Sequence, residues 1–132
     1  MKLEFVDNEE KYYDFIRLLR TDSRVVHGFV EQVQITPEQQ RAYMAKYGKY
    51  YYICLVDGDP AGFIGEIEGD IRIATLPEYQ RKGVGSFMVK ELIKRHPKTY
   101  AKIKVDNDIS QNFFEKLNFD MSFHIMTPPK EK

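Results

Sequence analysis

Apolar and polar positions alternate from the first residues, so Leu3 to Val6 reads as a short strand. The period then lengthens: Tyr12, Phe15, Ile16 and Leu19 recur at helical spacing over a segment from about Glu9 that Asn8 is placed to cap. An irregular stretch follows, through Arg24-Val25-Val26-His27-Gly28. Thr36-Pro37-Glu38-Gln39 then offers an N-cap, a proline at the first helical position and an amide three residues after the cap, predicting a second helix to about Lys46. Gly48 ends it. Tyr50 to Val56 and Ala61 to Ile67, rich in aromatic and β-branched residues, flank Asp57-Gly58-Asp59-Pro60 and predict a hairpin. A Glu68-Gly69-Asp70 turn leads to a third consecutive strand, Ile71 to Thr75, which stops near Pro77.

From Gly83 the helical period returns. Val84, Phe87, Met88, Leu92 and Ile93 share one face and Lys90, Glu91, Lys94 and Arg95 the other, until Pro97. Beyond it the pattern predicts a strand from Thr99 to Val105, a short helix from Ser110 to Leu117 and a last strand from Phe119 to Ile125. The element order βα, α, βββ, α, β, α, β predicts an α/β fold. Without a linker-like stretch, residues 1–127 read as one domain and 128–132 as a frayed tail.

Composition narrows the classes. The 42% of apolar residues are dispersed, which suits one core and not a membrane span, and the N-terminus alternates where a secretory signal would have an apolar run. A cytoplasmic location is expected. Cys54 is the one cysteine, so an internal disulfide and a cysteine metal cluster are excluded, and three scattered histidines give no metal-ligand spacing. Net charge is zero, which favours neither nucleic acid nor an anionic membrane. The distribution is uneven, however: residues 80–104 carry eight basic side chains against Glu91 alone. That local field suits a polyanion.

The cations surround Gln80-Arg81-Lys82-Gly83-Val84-Gly85-Ser86, which lies between the end of a strand and the start of the amphipathic helix. Backbone amides in the first turn of a helix lack intrahelical partners, the helix dipole is positive there, and glycines let a phosphate approach. A Gly-x-Gly before a helix is by itself more often a conformational device than a site. The preceding strand and the basic run shift the balance. Neither the nucleoside-triphosphate loop pattern nor the dinucleotide pattern is present.

The run Gln80 to Gly85 resembles the Gln/Arg-x-x-Gly-x-Gly/Ala signature of the GNAT acetyltransferase superfamily. Asn107-Asp108-Ile109-Ser110-Gln111-Asn112-Phe113-Phe114-Glu115-Lys116-Leu117-Asn118-Phe119 resembles that family's second block, and the element order matches its fold. The resemblance covers about Tyr50 to Phe123 and is looser before it. It implies a central mixed, mainly antiparallel sheet flanked by helices, with acetyl-coenzyme A as cofactor. The amides of Lys82, Gly83, Val84, Gly85 and Ser86, with Gln80, Arg81 and Lys82, would hold the pyrophosphate. The strand containing Ile73 and Thr75 would pair with the pantetheine arm, Asn107 and Phe114 would lie beside it, and the Ile73 amide would polarise the thioester carbonyl.

The sequence departs from the family at Phe114, where many members carry a tyrosine that protonates the departing thiolate. Ser110 or a tyrosine of the Tyr50-Tyr51-Tyr52 run are substitutes that no spacing singles out. Glu66 is the candidate base, expected to point into the cleft. His27 borders the acceptor region of the family and reads more naturally as a surface or packing residue, and Tyr12, Tyr13 and Phe29 read as core before pocket. The expected activity is direct acetyl transfer to a primary amine of a small molecule, with an amino sugar or nucleotide-linked amino sugar ahead, by a monomer or homodimer. Acetylation of a protein lysine or N-terminus, a non-catalytic acyl-coenzyme A binding module, and a plain structural domain stay open as alternatives.

Overall fold

A computed structural model describes residues 1–22 and 35–129. Four strands, β1 (Leu3–Asp7), β2 (Tyr51–Val56), β3 (Asp59–Ile67) and β4 (Asp70–Thr75), form an antiparallel sheet in chain order. Both tight turns have the same cause. Asp57-Gly58 and Glu68-Gly69 each place two residues at positive φ (50° and 88°, 53° and 87°), the mirror-image turn whose twist matches a two-residue hairpin. Pro60 is accommodated because the β2–β3 register shifts between Cys54 and Leu55, opposite it.

The sheet separates two apolar clusters. On one face, Tyr51, Ile53 and Phe63 meet Ile16 and Leu19 of α1 (Tyr13–Arg20) and Met44 of α2 (Pro37–Tyr47). On the other, Cys54, Ile64 and Ile71 meet Val84, Met88, Val89 and Leu92 of α3 (Val84–Arg95) and Phe114 of α4 (Asp108–Lys116). Gly62 lets α3 close down: a β-carbon there would stand 2.9 Å from the Met88 methyl and 2.8 Å from the Ala74 carbonyl.

The expected capping box is present, with Thr36 accepting from the Gln39 amide at 3.1 Å and the Gln39 side chain accepting from the Thr36 amide at 2.9 Å. The first helix differs from expectation. Glu10–Tyr12 forms a 3₁₀ turn before α1, and Asn8 does not cap it; its Nδ2 donates instead to the Gly48 carbonyl at 3.1 Å, tying the start of that segment to the end of α2.

Two expected strands are corrected. Residues 99–105 make one parallel bridge, Asp70 with Tyr100, and then leave the sheet. Ala101 and Ile103 still pack on the α3-side cluster, which is why the alternation resembled a strand: periodicity reports which side chains face inward, and an extended chain meets that condition without a ladder. Residues 119–125 likewise form no strand. Phe119 packs on Phe114, but Met121, Phe123 and Ile125 are exposed, so the alternating apolar face finds no sheet to cover.

Candidate functional site

The segment between β4 and α3 is shaped by two left-handed residues, Arg81 (φ 63°) and Gly83 (φ 86°). Gly83 is the N-cap of α3 and brings no capping side chain, and the first backbone bond of the helix is Phe87 N–H to the Gly83 carbonyl at 3.0 Å. The amides of Val84, Gly85 and Ser86 therefore have no partner inside the helix. A β-carbon on Gly83 would meet nothing within 4 Å, so the space beside these donors is open. Arg81 and Lys82 are exposed there. An uncapped helix start with open space and two cations suits a phosphate group, and this geometry fits the pyrophosphate expected at residues 82–86.

The outer edge of β4 continues from that turn. The Ile71 amide donates to the Tyr100 carbonyl at 2.9 Å, and the Tyr100 amide donates to Gly69 at 2.8 Å. By the alternation of an antiparallel strand, the amides of Ile73 and Thr75 point to the same edge, past the place where the chain of residues 101–105 has left it. Leu76 N–H, one position out of phase, points inward to Ala61 at 2.8 Å. Gln80 folds back so that its Nε2 donates to the Thr75 carbonyl at 3.2 Å, and Thr75 Oγ1 lies 3.9 Å from where a Gly85 β-carbon would be. Ile73, Thr75, Gln80 and the residues 81–86 thus form one continuous strip.

The second sequence block lies in and beside α4. Asn107 caps the helix, its Oδ1 accepting the Ser110 amide at 3.1 Å, while its Nδ2 has no partner among the described residues. Phe114 is 6% exposed and stacks edge-on with Phe113 and with Phe119, each at 5.0 Å between centroids. It is part of the core.

Glu66 does not face the open edge. It lies on the α3 face, where Oε2 accepts the Gly69 amide at 2.8 Å and Oε1 is 3.7 Å from His96 Nδ1. His96 Nε2 in turn shares a 3.0 Å bond with the Tyr52 hydroxyl. Glu66 and His96 border a shallow depression of about 450 Å³ at the end of β4 remote from Gly83. His27 and Phe29 lie outside the described residues; Tyr12 is buried in the α1–α2 cluster and Tyr13 packs against it.

A feature that periodicity did not single out occupies the opposite face. The hydroxyls of Tyr43 and Tyr51 are 2.7 Å apart, and the Arg20 guanidinium lies 5.3 Å from the centre of the Tyr43 ring. Burial, then the neighbouring Tyr43, hold the Tyr51 hydroxyl well above the ordinary phenol range, whereas Arg20 and Arg72 act in the opposite sense. In the sheet Tyr51 pairs with Gly65, the small residue over which its ring lies, a relationship that no spacing in the sequence encodes.

A family model described as the acetyltransferase (GNAT) family matches residues 12–119. The chain belongs to that family. The GNAT fold is matched across solved structures: one of AAC(6')-Iy with the bisubstrate analog CoA-S-monomethyl-acetylneamine has a TM-score of 0.73 at 14% identity, with 100% of each chain covered. Another, spermidine N-acetyltransferase from Vibrio cholerae with CoA and spermine, has a TM-score of 0.80 at 15% identity, covering 93% of this chain and 83% of that one. In sequence, the chain is 36% identical over 70 residues to a protein of Escherichia coli (strain K12) named Uncharacterized N-acetyltransferase YafP. That match spans 52% of this chain and 44% of the relative, so less than half of the relative's length is represented. As a GNAT chain it has, among the described residues, no group that could hold a metal ion and no helix long and apolar enough to cross a membrane.

Proposed function

We propose that the chain is an N-acetyltransferase that moves the acetyl group of acetyl-coenzyme A directly to a primary amine of a small molecule. The observation that carries this reading is the strip joining the uncapped start of α3 to the free edge of β4. The amides of Val84, Gly85 and Ser86 would hold the pyrophosphate, with Arg81 and Lys82 supplying charge, and the Thr75 and Ile73 amides would pair with the arm that follows. Bound acetyl-coenzyme A supplies an activated acetyl group: the amine nitrogen bonds to the carbonyl carbon, the C–S bond breaks, and the amine's proton leaves with the thiol.

Within that arrangement the Ile73 amide is the donor for the thioester carbonyl, since it is fixed by a sheet and needs no reorganisation to accept developing negative charge. Asn107 contributes its free Nδ2 to the cofactor's arm. Phe114 walls the site from the core side. With a phenyl ring there, this position gives no proton; a thiolate is a tolerable leaving group, so water or another side chain would protonate it.

A small-molecule acceptor is supported by the structural neighbours, whose bound ligands include a neamine-derived analog and spermine. Isothermal titration with acetyl-coenzyme A tests the reading, with Gly83→Glu as control. Binding by the native chain that the variant loses, followed by amine-dependent release of free thiol, supports transfer. Binding with no thiol release from any amine would favour a non-catalytic binding module, and no binding at all would remove the acetyltransferase proposal.

A further inference from the structure

The two faces of β4 are unequal. α3 packs on the face on which Ile71 and Ile73 lie; on the other face Ala74 is buried against α1 while the Arg72 side chain stays 39% exposed, so an amine meeting a thioester at the β4 edge has room to approach beside Arg72. Arg72 projects on that face, one residue from the Ile73 amide and hence about 3.3 Å along the strand from it. Across the sheet the row continues from Arg72 to Gly65, its registered partner, and to Tyr51, whose ring lies over that glycine.

Four side chains from four elements thus gather at one place: Arg20 at the end of α1, Tyr43 on α2, Tyr51 on β2 and Arg72 on β4. Arg20 lies against the Tyr43 ring at 5.3 Å, and the two hydroxyls share one bond at 2.7 Å, which leaves one phenolic hydrogen to donate elsewhere. Both guanidinium charges act on the Tyr51 hydroxyl. The one carboxylate on this face of β3 and β4 is Asp70, and it is bound to Arg72 Nε at 3.4 Å. Two guanidinium forks and a phenol present donors, and an ammonium-rich ligand would find like charge there.

The geometry points to an acceptor amine that also carries an anionic group, a carboxylate or a phosphate, held between Arg20 and Arg72 on the sheet face opposite α3. This rests on the acetyl transfer proposed above and narrows its acceptor. The anionic group orients the molecule, and its amine is directed at the β4 edge beside Ile73. Amino acids and phosphorylated amino sugars have this chemistry; polyamines and aminoglycosides do not.

The test compares thiol release from acetyl-coenzyme A with L-glutamate, O-phosphoethanolamine, glucosamine 6-phosphate, unmodified glucosamine, spermidine and kanamycin. The native chain is expected to favour at least one anionic amine over glucosamine and both polycations in kcat/KM. The carboxylate and phosphate members separate the two sources of the anion. Arg72→Gln and Arg20→Gln should each raise KM for that amine about tenfold or more, the effect of losing a charge-assisted hydrogen bond. Titration with acetyl-coenzyme A, run on every variant, keeps the two readings apart. Normal cofactor binding with spermidine or kanamycin preferred, with no anionic amine turned over, or with KM unmoved in both variants, overturns this inference and leaves the cofactor reading intact. Absence of cofactor binding in the native chain removes both.

Discussion

A β-carbon on Gly85 would stand 3.2 Å from the ring of Phe113, whereas one on Gly83, two residues earlier, would meet nothing within 4 Å. The two glycines of one motif are therefore required for different reasons. Gly83 serves a backbone conformation, φ 86°, that exposes the amides after it. Gly85 serves packing, letting α4 close against the first turn of α3 and linking the motif to the second sequence block.

Gly83→Ala should lower stability by about 1 kcal/mol, the strain of a left-handed alanine, while weakening acetyl-coenzyme A binding only modestly because the new methyl enters open space. Gly85→Val should be worse in both respects, since Phe113 must shift to admit a branched side chain, at about 1–3 kcal/mol. Urea midpoints and calorimetric titration of the two variants check the ordering.

Arg81 also has positive φ, at 63°, with no glycine to relieve it. Arg81→Gly should therefore stabilise the fold by about 1 kcal/mol while weakening acetyl-coenzyme A binding, and the remaining affinity should depend less steeply on salt. Stability and affinity moving in opposite directions would show that the strained residue is kept for its charge. Denaturation and titration at two salt concentrations measure both.

The hairpins, the capping box and α3 were legible because each is set by local chemistry: Asp57-Gly58 and Glu68-Gly69 demand one turn type, and Thr36 with Gln39 demands one helix start. The segments 99–105 and 119–125 were not, because alternation fixes which side chains face the core and says nothing about whether a neighbouring edge is within reach. The phosphate-type turn was visible as a motif, since glycines and cations are written in the chain. Glu66 was misplaced in expectation because strand alternation gives a face but not the end of the sheet; the Gly69 turn and His96 draw its oxygens there. The Tyr43–Tyr51 pair with Arg20 and Arg72 joins residues from four elements, and no spacing within the sequence encodes it.

Glu66 should behave as a turn lock. Replacing it with Ala removes the acceptor for the Gly69 amide and should cost about 1–2 kcal/mol, with kcat for any accepted amine within about threefold of native. A loss of two or more decades in kcat, together with disappearance of the acidic limb of the pH–rate profile, would instead make Glu66 the base.

Cys54 gives a prediction with a defined pH window. The thiol is fully buried in the cluster beneath α3, and burial pushes its pKa from 9.0 up to about 11. Because the folded value lies above the unfolded one, the neutral thiol contributes stability that is complete below pH 9 and is lost as pH rises from there through about 11. The urea midpoint should fall over that interval. Cys54→Ala should start from a lower midpoint, having lost a buried side-chain atom, and should fall less across the same window. Tyr51, whose hydroxyl is also held neutral by burial, adds a decline of the same sign that begins above pH 10 and that Tyr51→Phe removes. Below pH 9 the buried thiol should react with a thiol-specific disulfide reagent only as fast as the chain opens, so its labelling rate should rise with urea in step with unfolding. Rapid stoichiometric labelling of the native chain at pH 8 would mean that α3 does not cover Cys54 in solution.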